Sequence, residues 1–236
     1  MRSSRWHALA NTYLLVEPAE RGLTPGEVRA MCGDADGVVE VTAAGEDTAD
    51  LVIWNRDGST AELSGNGTRI AARWLADRTG ARTVSVRVAG REVTGRMLAG
   101  GTVETDLGVV EVGAAEQVEG VELVRVRVGN PHAVVEDDPG EITRLGPLLV
   151  AHPAFRGGTN VEVARVERPG EVRARVWERG VGETTASGTG AVAVAAATHG
   201  AGDVVVRFPG GELRVRLEAG RAFLTGPAER EESARS

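Results

Sequence analysis

Two serines occupy equivalent places in a stretch that the chain uses twice. Residues 54–67 read WNRDGSTAELSGNG and residues 177–190 read WERGVGETTASGTG, with Trp54/Trp177, Arg56/Arg179, Ser64/Ser187, Gly65/Gly188 and Gly67/Gly190 all separated by 123 positions. Each copy ends in Ser-Gly-x-Gly and runs into an apolar helical segment, residues 68–77 and 191–199. A glycine-lined helix start presents unpaired backbone N–H groups and the positive end of the helix dipole, a ready site for a carboxylate or phosphate. The serine at each mouth either caps the helix, the commonest job of the residue there, or flanks a small ligand held by both mouths. Repetition in register, with Asn, Glu and Arg close by, favours a binding site formed from both mouths.

Other chemistries fit less well. Neither glycine stretch matches Gly-x-x-x-x-Gly-Lys-Ser/Thr or Gly-x-Gly-x-x-Gly, and neither serine sits in Gly-x-Ser-x-Gly. His7, His132, His152 and His199 show no pair at metal-ligand spacing, so no metal is expected. His132 follows Gly129-Asn130-Pro131, read as a tight turn that either fixes an imidazole at a strand junction or carries no role. The balance of 27 basic to 34 acidic residues, net −7, argues against nucleic acid. No apolar run reaches membrane-spanning length and the first residues lack a signal-peptide core, so a cytoplasmic chain is expected. The single cysteine, Cys32, has no disulfide partner in the chain and reads as a small buried apolar residue closing the first helix.

The elements that must carry these residues are short strands and a few helices. A strand over 6–17, interrupted at Ala10-Asn11-Thr12, leads to a helix opened by Thr24-Pro25-Gly26-Glu27, a capping box with proline at the first turn, and closed by Gly33. Strands follow at 38–42 and 51–55, with a turn at 56–59. The helix after Ser64 carries Ile70, Trp74 and Leu75 on one apolar face, and strands at 83–89 and 103–106 come next. The second half repeats this order: strands at 123–129 and 133–136, a helix over 142–151, strands at 160–166 and 172–178, the second Ser-Gly-x-Gly helix, and strands at 204–208, 213–217 and 222–225. Residues 9–17 also echo 128–136 at an offset of 119. The expected division is into halves 1–115 and 116–236, with linker character at Gly113-Ala114-Ala115, the last strand of the chain completing the first half, and a frayed tail over 229–236.

The segments HALANTY at 7–13, DGV at 36–38, NRDGS at 55–59, SGNGTR at 64–69, GNPH at 129–132, GTNV at 158–161 and ERGVGET at 178–184 running on to SGTG at 187–190 occur in one order. This series resembles the diaminopimelate epimerase family nearly from end to end. The resemblance implies an α+β fold of two pseudo-symmetric domains, each a central helix wrapped by a curved, mostly antiparallel sheet. It also implies cofactor-independent interconversion of LL- and meso-diaminopimelate by two-base α-proton transfer, in lysine and peptidoglycan precursor synthesis. Carried over by position, the substrate contacts fall on Asn11, Asn55, Gly65, Asn66, Asn130, Asn160, Glu178, Arg179, Gly188 and Thr189, and the catalytic positions on Ser64, Ser187, His132 and Glu178. The expected partner is a small amino-acid substrate, with no nucleic acid and no membrane; a homodimer is left open.

The family places a cysteine at each base position, and this chain has Ser64 and Ser187 there. A thiol ionises near about 8.5 and is lowered further at a helix N-terminus, whereas a serine hydroxyl is a far weaker acid. A family glutamine contact also finds Gly37 nearest to it. Three readings stay open: a diaminopimelate epimerase using serine bases, a same-fold isomerase or racemase for another amino acid or carbon acid, and a catalytically weak amino-acid-binding homologue. Proline racemases and phenazine-type isomerases share the duplicated fold and stand further off.

Overall fold

The computed structural model describes residues 2–18 and 21–231. Two units make up the chain: residues 1–106 with 225–236, and residues 107–224.

The first unit opens with β1 (Ser3–Ala8) and β2 (Asn11–Val16), an antiparallel hairpin pairing Ala8 with Asn11. The expected single interrupted strand is therefore two strands, and the chain reverses at Leu9, which takes φ 60°. Helix α1 (Pro25–Cys32) carries the expected capping box: Thr24 Oγ1 accepts from the Glu27 N–H while the Glu27 carboxylate accepts from the Thr24 N–H. Then come β3 (Gly37–Ala44), β4 (Thr48–Asn55), β5 (Thr60–Ala61), α2 (Gly65–Thr79), β6 (Thr83–Val88), β7 (Arg91–Met97) and β8 (Thr102–Val109). Pairings β2/β3 and β4/β6 are parallel, and the hairpins between them antiparallel.

The second unit repeats the plan. It runs β9 (Glu111–Val118), β10 (Val121–Val128), β11 (Asn130–Glu136), α3 (Ile142–Leu149), β12 (Asn160–Arg168), β13 (Glu171–Glu178), β14 (Gly182–Thr184), α4 (Gly188–Thr198), β15 (Gly202–Phe208), β16 (Gly211–Glu218) and β17 (Arg221–Pro227). Here β11/β12 and β13/β15 are the parallel pairs, the counterparts of β2/β3 and β4/β6. Residues 113–115, expected to have linker character, lie inside β9, which pairs with β10. Glu229–Arg230 forms β18 and pairs with Trp6 and His7 of β1, so the start of the supposed frayed tail is ordered sheet; residues 232–236 lie outside the described residues.

In each unit one helix is ringed by strands and another covers the outside. α2 packs on β1, β2, β3, β4, β6 and β7, and α4 on β10, β11, β12, β13, β15 and β16. Residues 65–72 and 188–196 are all buried, not only the apolar face the sequence predicts. Small side chains permit this. Ala191, Ala193, Ala195 and Ala196 line α4, and a Cβ on Gly95 of β7 would stand 2.5 Å from Ala72 Cβ of α2. The outer helices have cores of their own: α1 packs Val28 and Cys32 against Val16, Val38 and Trp54, and α3 packs Ile142, Leu145 and Leu149 against Leu123, Val135 and Val161. Cys32 is buried as expected, its thiol raised by desolvation and donating to the Ala35 carbonyl at 3.2 Å.

Candidate functional site

Both repeated serines cap their helices. Ser64 has extended φ/ψ of −134° and 119°, and its Oγ accepts from the Gly67 N–H at 3.0 Å. Ser187 has −136° and 129°, and its Oγ accepts from the Gly190 N–H at 3.2 Å. With the third N–H satisfied by the serine, the first two of each helix, on Gly65/Asn66 and Gly188/Thr189, have no intrahelical acceptor. Each mouth thus offers a pair of adjacent backbone donors at the positive end of a buried helix, suited to a carboxylate and to charge developing beside it.

At the first mouth, Tyr13 Oη lies 3.2 Å from Ser64 Oγ. Tyr13, Gly37 and Asn55 stand opposite one another across β2, β3 and β4. A Cβ at residue 37 would fall 2.6 Å from the Trp54 carbonyl oxygen and 2.9 Å from Tyr13 Cε1, so glycine makes the room in which the phenol ring lies. Asn11, two residues before Tyr13, is buried at the start of β2, and Asn55 Nδ2–H donates to Ser59 Oγ at 2.9 Å. Arg69 is wholly buried one turn into α2. Its guanidinium donates to the carbonyls of Gly65 (3.0 Å) and Pro227 (3.4 Å) and to Asn66 Oδ1 (2.7 Å). None of these described acceptors is a carboxylate, and burial pulls the guanidinium down to about 10, leaving it a cation at neutral pH.

The second mouth is built from a different network. His132 lies in strand β11, the turn being confined to Gly129 with φ 83°, so the expected turn histidine is a strand residue. Its Nδ1 is 2.8 Å from Glu162 Oε1, both side chains fully buried, and its Nε2 is 3.0 Å from Asn130 Oδ1. Asn130 Nδ2–H donates in turn to Thr189 Oγ1 at 3.2 Å. Both ring nitrogens face oxygen atoms, while Glu162 Oε2 is buried with no hydrogen-bond partner among the described residues. Glu162 also lies against the helix start: a Cβ on Gly190 would meet Glu162 Oε1 at 2.8 Å and Ser187 Cβ at 2.9 Å. Asn160 Oδ1 accepts from the Arg179 N–H at 2.9 Å, tying β12 to the end of β13. The Glu178 carboxylate accepts from Thr184 Oγ1 at 2.6 Å, and Arg179 Nη1–H donates to the Gly157 carbonyl at 2.8 Å.

The structure therefore gathers Asn55, Ser64, Gly65 and Asn66, with Asn11 on the neighbouring strand, in the first unit. It gathers Asn130, His132, Asn160, Glu178, Arg179, Ser187, Gly188 and Thr189 in the second. Among the described residues no group of three or more His, Cys, Asp or Glu could hold a metal ion, and no helix is long and apolar enough to cross a membrane.

A family model described as diaminopimelate epimerase matches residues 6–116 and 124–231. The chain belongs to the diaminopimelate epimerase family. A protein named diaminopimelate epimerase from Synechocystis sp. is 35% identical over 266 aligned positions, covering 96% of this chain and 95% of the relative. One of the same name from Desulfitobacterium hafniense is 35% identical over 276 positions, covering 97% and 95%. Among solved structures, a hydroxyproline epimerase from Agrobacterium vitis, with bound trans-4-hydroxy-L-proline, superposes with a TM-score of 0.69 at 16% identity over 97% of this chain and 88% of the other. A phenazine biosynthesis protein from Enterococcus faecalis superposes with a TM-score of 0.71 at 12% identity over 98% and 96%. These two likenesses concern the fold, which is the two-domain α+β fold of diaminopimelate epimerases.

Ser64 and Ser187 head the two helix mouths. Three residues beside those serines escape sequence reasoning. Glu162 carries a signal, a lone carboxylate inside the run Val161-Glu162-Val163. Arg69 directly follows the first helix mouth. Tyr13 leaves no mark in the pattern, because its closeness to Ser64 depends on the absent side chain at Gly37.

Proposed function

We propose that the chain interconverts LL- and meso-diaminopimelate by two-base α-proton transfer without a cofactor. The observation that carries this reading is the pair of serine-capped helix mouths, each with two N–H groups that have no intrahelical acceptor, in a chain of this family. Epimerisation needs a proton acceptor on one face of the α-carbon and a donor on the other, the roles that the family resemblance gives to Ser64 and Ser187. Backbone N–H groups at a helix mouth are suited to hold the α-carboxylate and to stabilise charge as the proton leaves. The amides of Asn11, Asn55, Asn130 and Asn160, with Glu178 and Arg179, supply donors and acceptors for the distal ammonium and carboxylate. His132 and Glu178 assist the two bases.

A second reading is favoured by Gly37. With no side chain at that position one family contact is lost, which suits a same-fold epimerase or racemase for a different amino acid or carbon acid, as the hydroxyproline epimerase neighbour illustrates. The deciding experiment is proton NMR of LL-diaminopimelate in D₂O with the purified chain. Loss of the α-proton signal with appearance of the meso form, absent in a Ser64→Ala/Ser187→Ala chain, is the expected result. Saturable binding with no exchange, even after both serines become cysteine, would exclude the epimerase.

A further inference from the structure

The Ser64 hydroxyl is a poor base alone. Its Oγ already accepts from the Gly67 N–H, which leaves its own hydrogen to be donated. The neighbour placed to receive it is Tyr13 Oη, 3.2 Å away. A phenol ionises near about 10, far more readily than an aliphatic alcohol. Two features define the surroundings of the ring. Gly37 admits the ring where any Cβ would collide with it. Arg69, fully buried with carbonyl and amide oxygens as its described partners, places a cation that is electrostatically coupled to Tyr13. Coupling is reciprocal: a cation stabilised by the phenolate stabilises the phenolate in turn.

The geometry points to Tyr13 as the proton-accepting partner of Ser64, so that the first mouth works as a Tyr–Ser relay where the family uses a thiol. This rests on the epimerase reading above. In the forward step Ser64 Oγ takes the α-proton while its hydroxyl proton passes to the Tyr13 phenolate oxygen. The C–H electron pair stays on the α-carbon and spreads into the carboxylate held by the helix N–H groups. In the reverse direction the Tyr13 hydroxyl returns its proton to Ser64, and Ser64 delivers its own to the carbon. Nothing is oxidised or reduced. Tyr13 acts through Ser64 and is a positioning residue for it; Ser64 is the group that meets substrate.

The test is α-proton exchange of LL-diaminopimelate in D₂O across four chains. Tyr13→Phe lowers exchange by about 100-fold or more, the usual worth of a positioned acid–base group. Tyr13→Phe/Ser64→Cys recovers it to the wild-type rate or above, because a thiol at a helix N-terminus ionises by itself and needs no phenol. Ser64→Cys alone exchanges as fast as that double variant. A purely structural tyrosine would not be replaced by a cysteine at another position, so failure of the double variant to recover overturns the relay. Exchange in Tyr13→Phe within about threefold of an active wild type overturns the relay and leaves the epimerase standing. Absence of exchange in all four chains overturns both.

A second readout is independent of turnover. Tyr13 is the only tyrosine in the chain, so ultraviolet absorbance titration reports it alone. Ser64→Ala removes the hydroxyl that donates to the phenolate and moves the titration to higher pH. An unmoved curve overturns the coupling.

Discussion

The helix mouths of the two units share a backbone and a repeated arginine, Arg56 and Arg179, and differ in the buried charged side chains beside the serines. Both start with a capping serine, both run Ser-Gly-x-Gly, and both follow a tryptophan-bearing strand, β4 or β13. At the 119-residue offset, Tyr13 answers to His132; at the 123-residue offset, Gly37 answers to Asn160, Arg69 to Val192 and Val39 to Glu162. The first mouth therefore rests on a buried cation beside a phenol, the second on a buried carboxylate–imidazole pair. Even the repeated tryptophans diverge: Trp54 Nε1–H donates to Glu40 at 2.8 Å, while the Trp177 ring fills the space left by Gly146 of α3. Duplication has kept the serine-capped helix start, which depends on backbone conformation. The side chains around it are set by each unit's own strands, and each copy has its own set.

The largest contrast is expected from removing the key side chain at each mouth. His132→Ala strands the Glu162 carboxylate in a dry site and costs about 3–5 kcal/mol, the range for breaking a buried ion pair. Tyr13→Phe removes the hydroxyl that meets Ser64 Oγ, with Ser64 still capped, and costs about 1 kcal/mol. Urea denaturation of the two variants gives both values, and equal losses would mean that the mouths are stabilised alike.

A smaller contrast lies in the glycines. Gly190→Ala drives a methyl against Glu162 Oε1 and Ser187 Cβ, at 2.8 and 2.9 Å, and costs about 1–3 kcal/mol by overpacking. Gly67→Ala meets Ile53 Cδ1 at 3.1 Å, the movable end of a side chain, and the helix preference of alanine offsets much of that. A thermal midpoint clearly lowered in the first and little changed in the second is the expected pattern.

The smallest effect separates the outer helices. Hydrogen bonds from Arg21, and then from Thr24, hold the Glu27 carboxyl down to about 2. A folded-state value below the unfolded one means stabilisation that is complete above the unfolded value of about 4.3 and is lost as pH falls toward 2. Helix α3 has no side-chain cap at Glu141. NMR shifts between about pH 5 and 2 are expected to show fraying at the start of α1, and at α3 a change confined to the Asp138 turn that precedes the helix.

Much of this was legible from residue order. The duplication, the α1 capping box, the two N-cap serines and most strands follow from local rules: a side chain three residues from a free N–H, or an alternation that suits a pleated surface. The misreadings have separate origins. The hairpin at Leu9 was hidden because a non-glycine residue adopts φ 60°, and the turn at Gly129 passes His132 into a strand. Helices α2 and α4 are buried well beyond one face because strands close around them, which no periodicity within the helix records.

The sequence alone determined the two helix mouths, since an N-cap, its glycines and its open N–H groups are made within five residues. Only the tertiary structure decided what stands beside each serine. Tyr13 and Ser64 are 51 residues apart, and His132 and Glu162 are 30 apart. Their meeting depends on strand register, on the room left at Gly37 and on burial that removes water from Arg69 and Glu162. The strength of a charge on its neighbour is set by distance and dielectric, and both exist only once the chain has closed around the site.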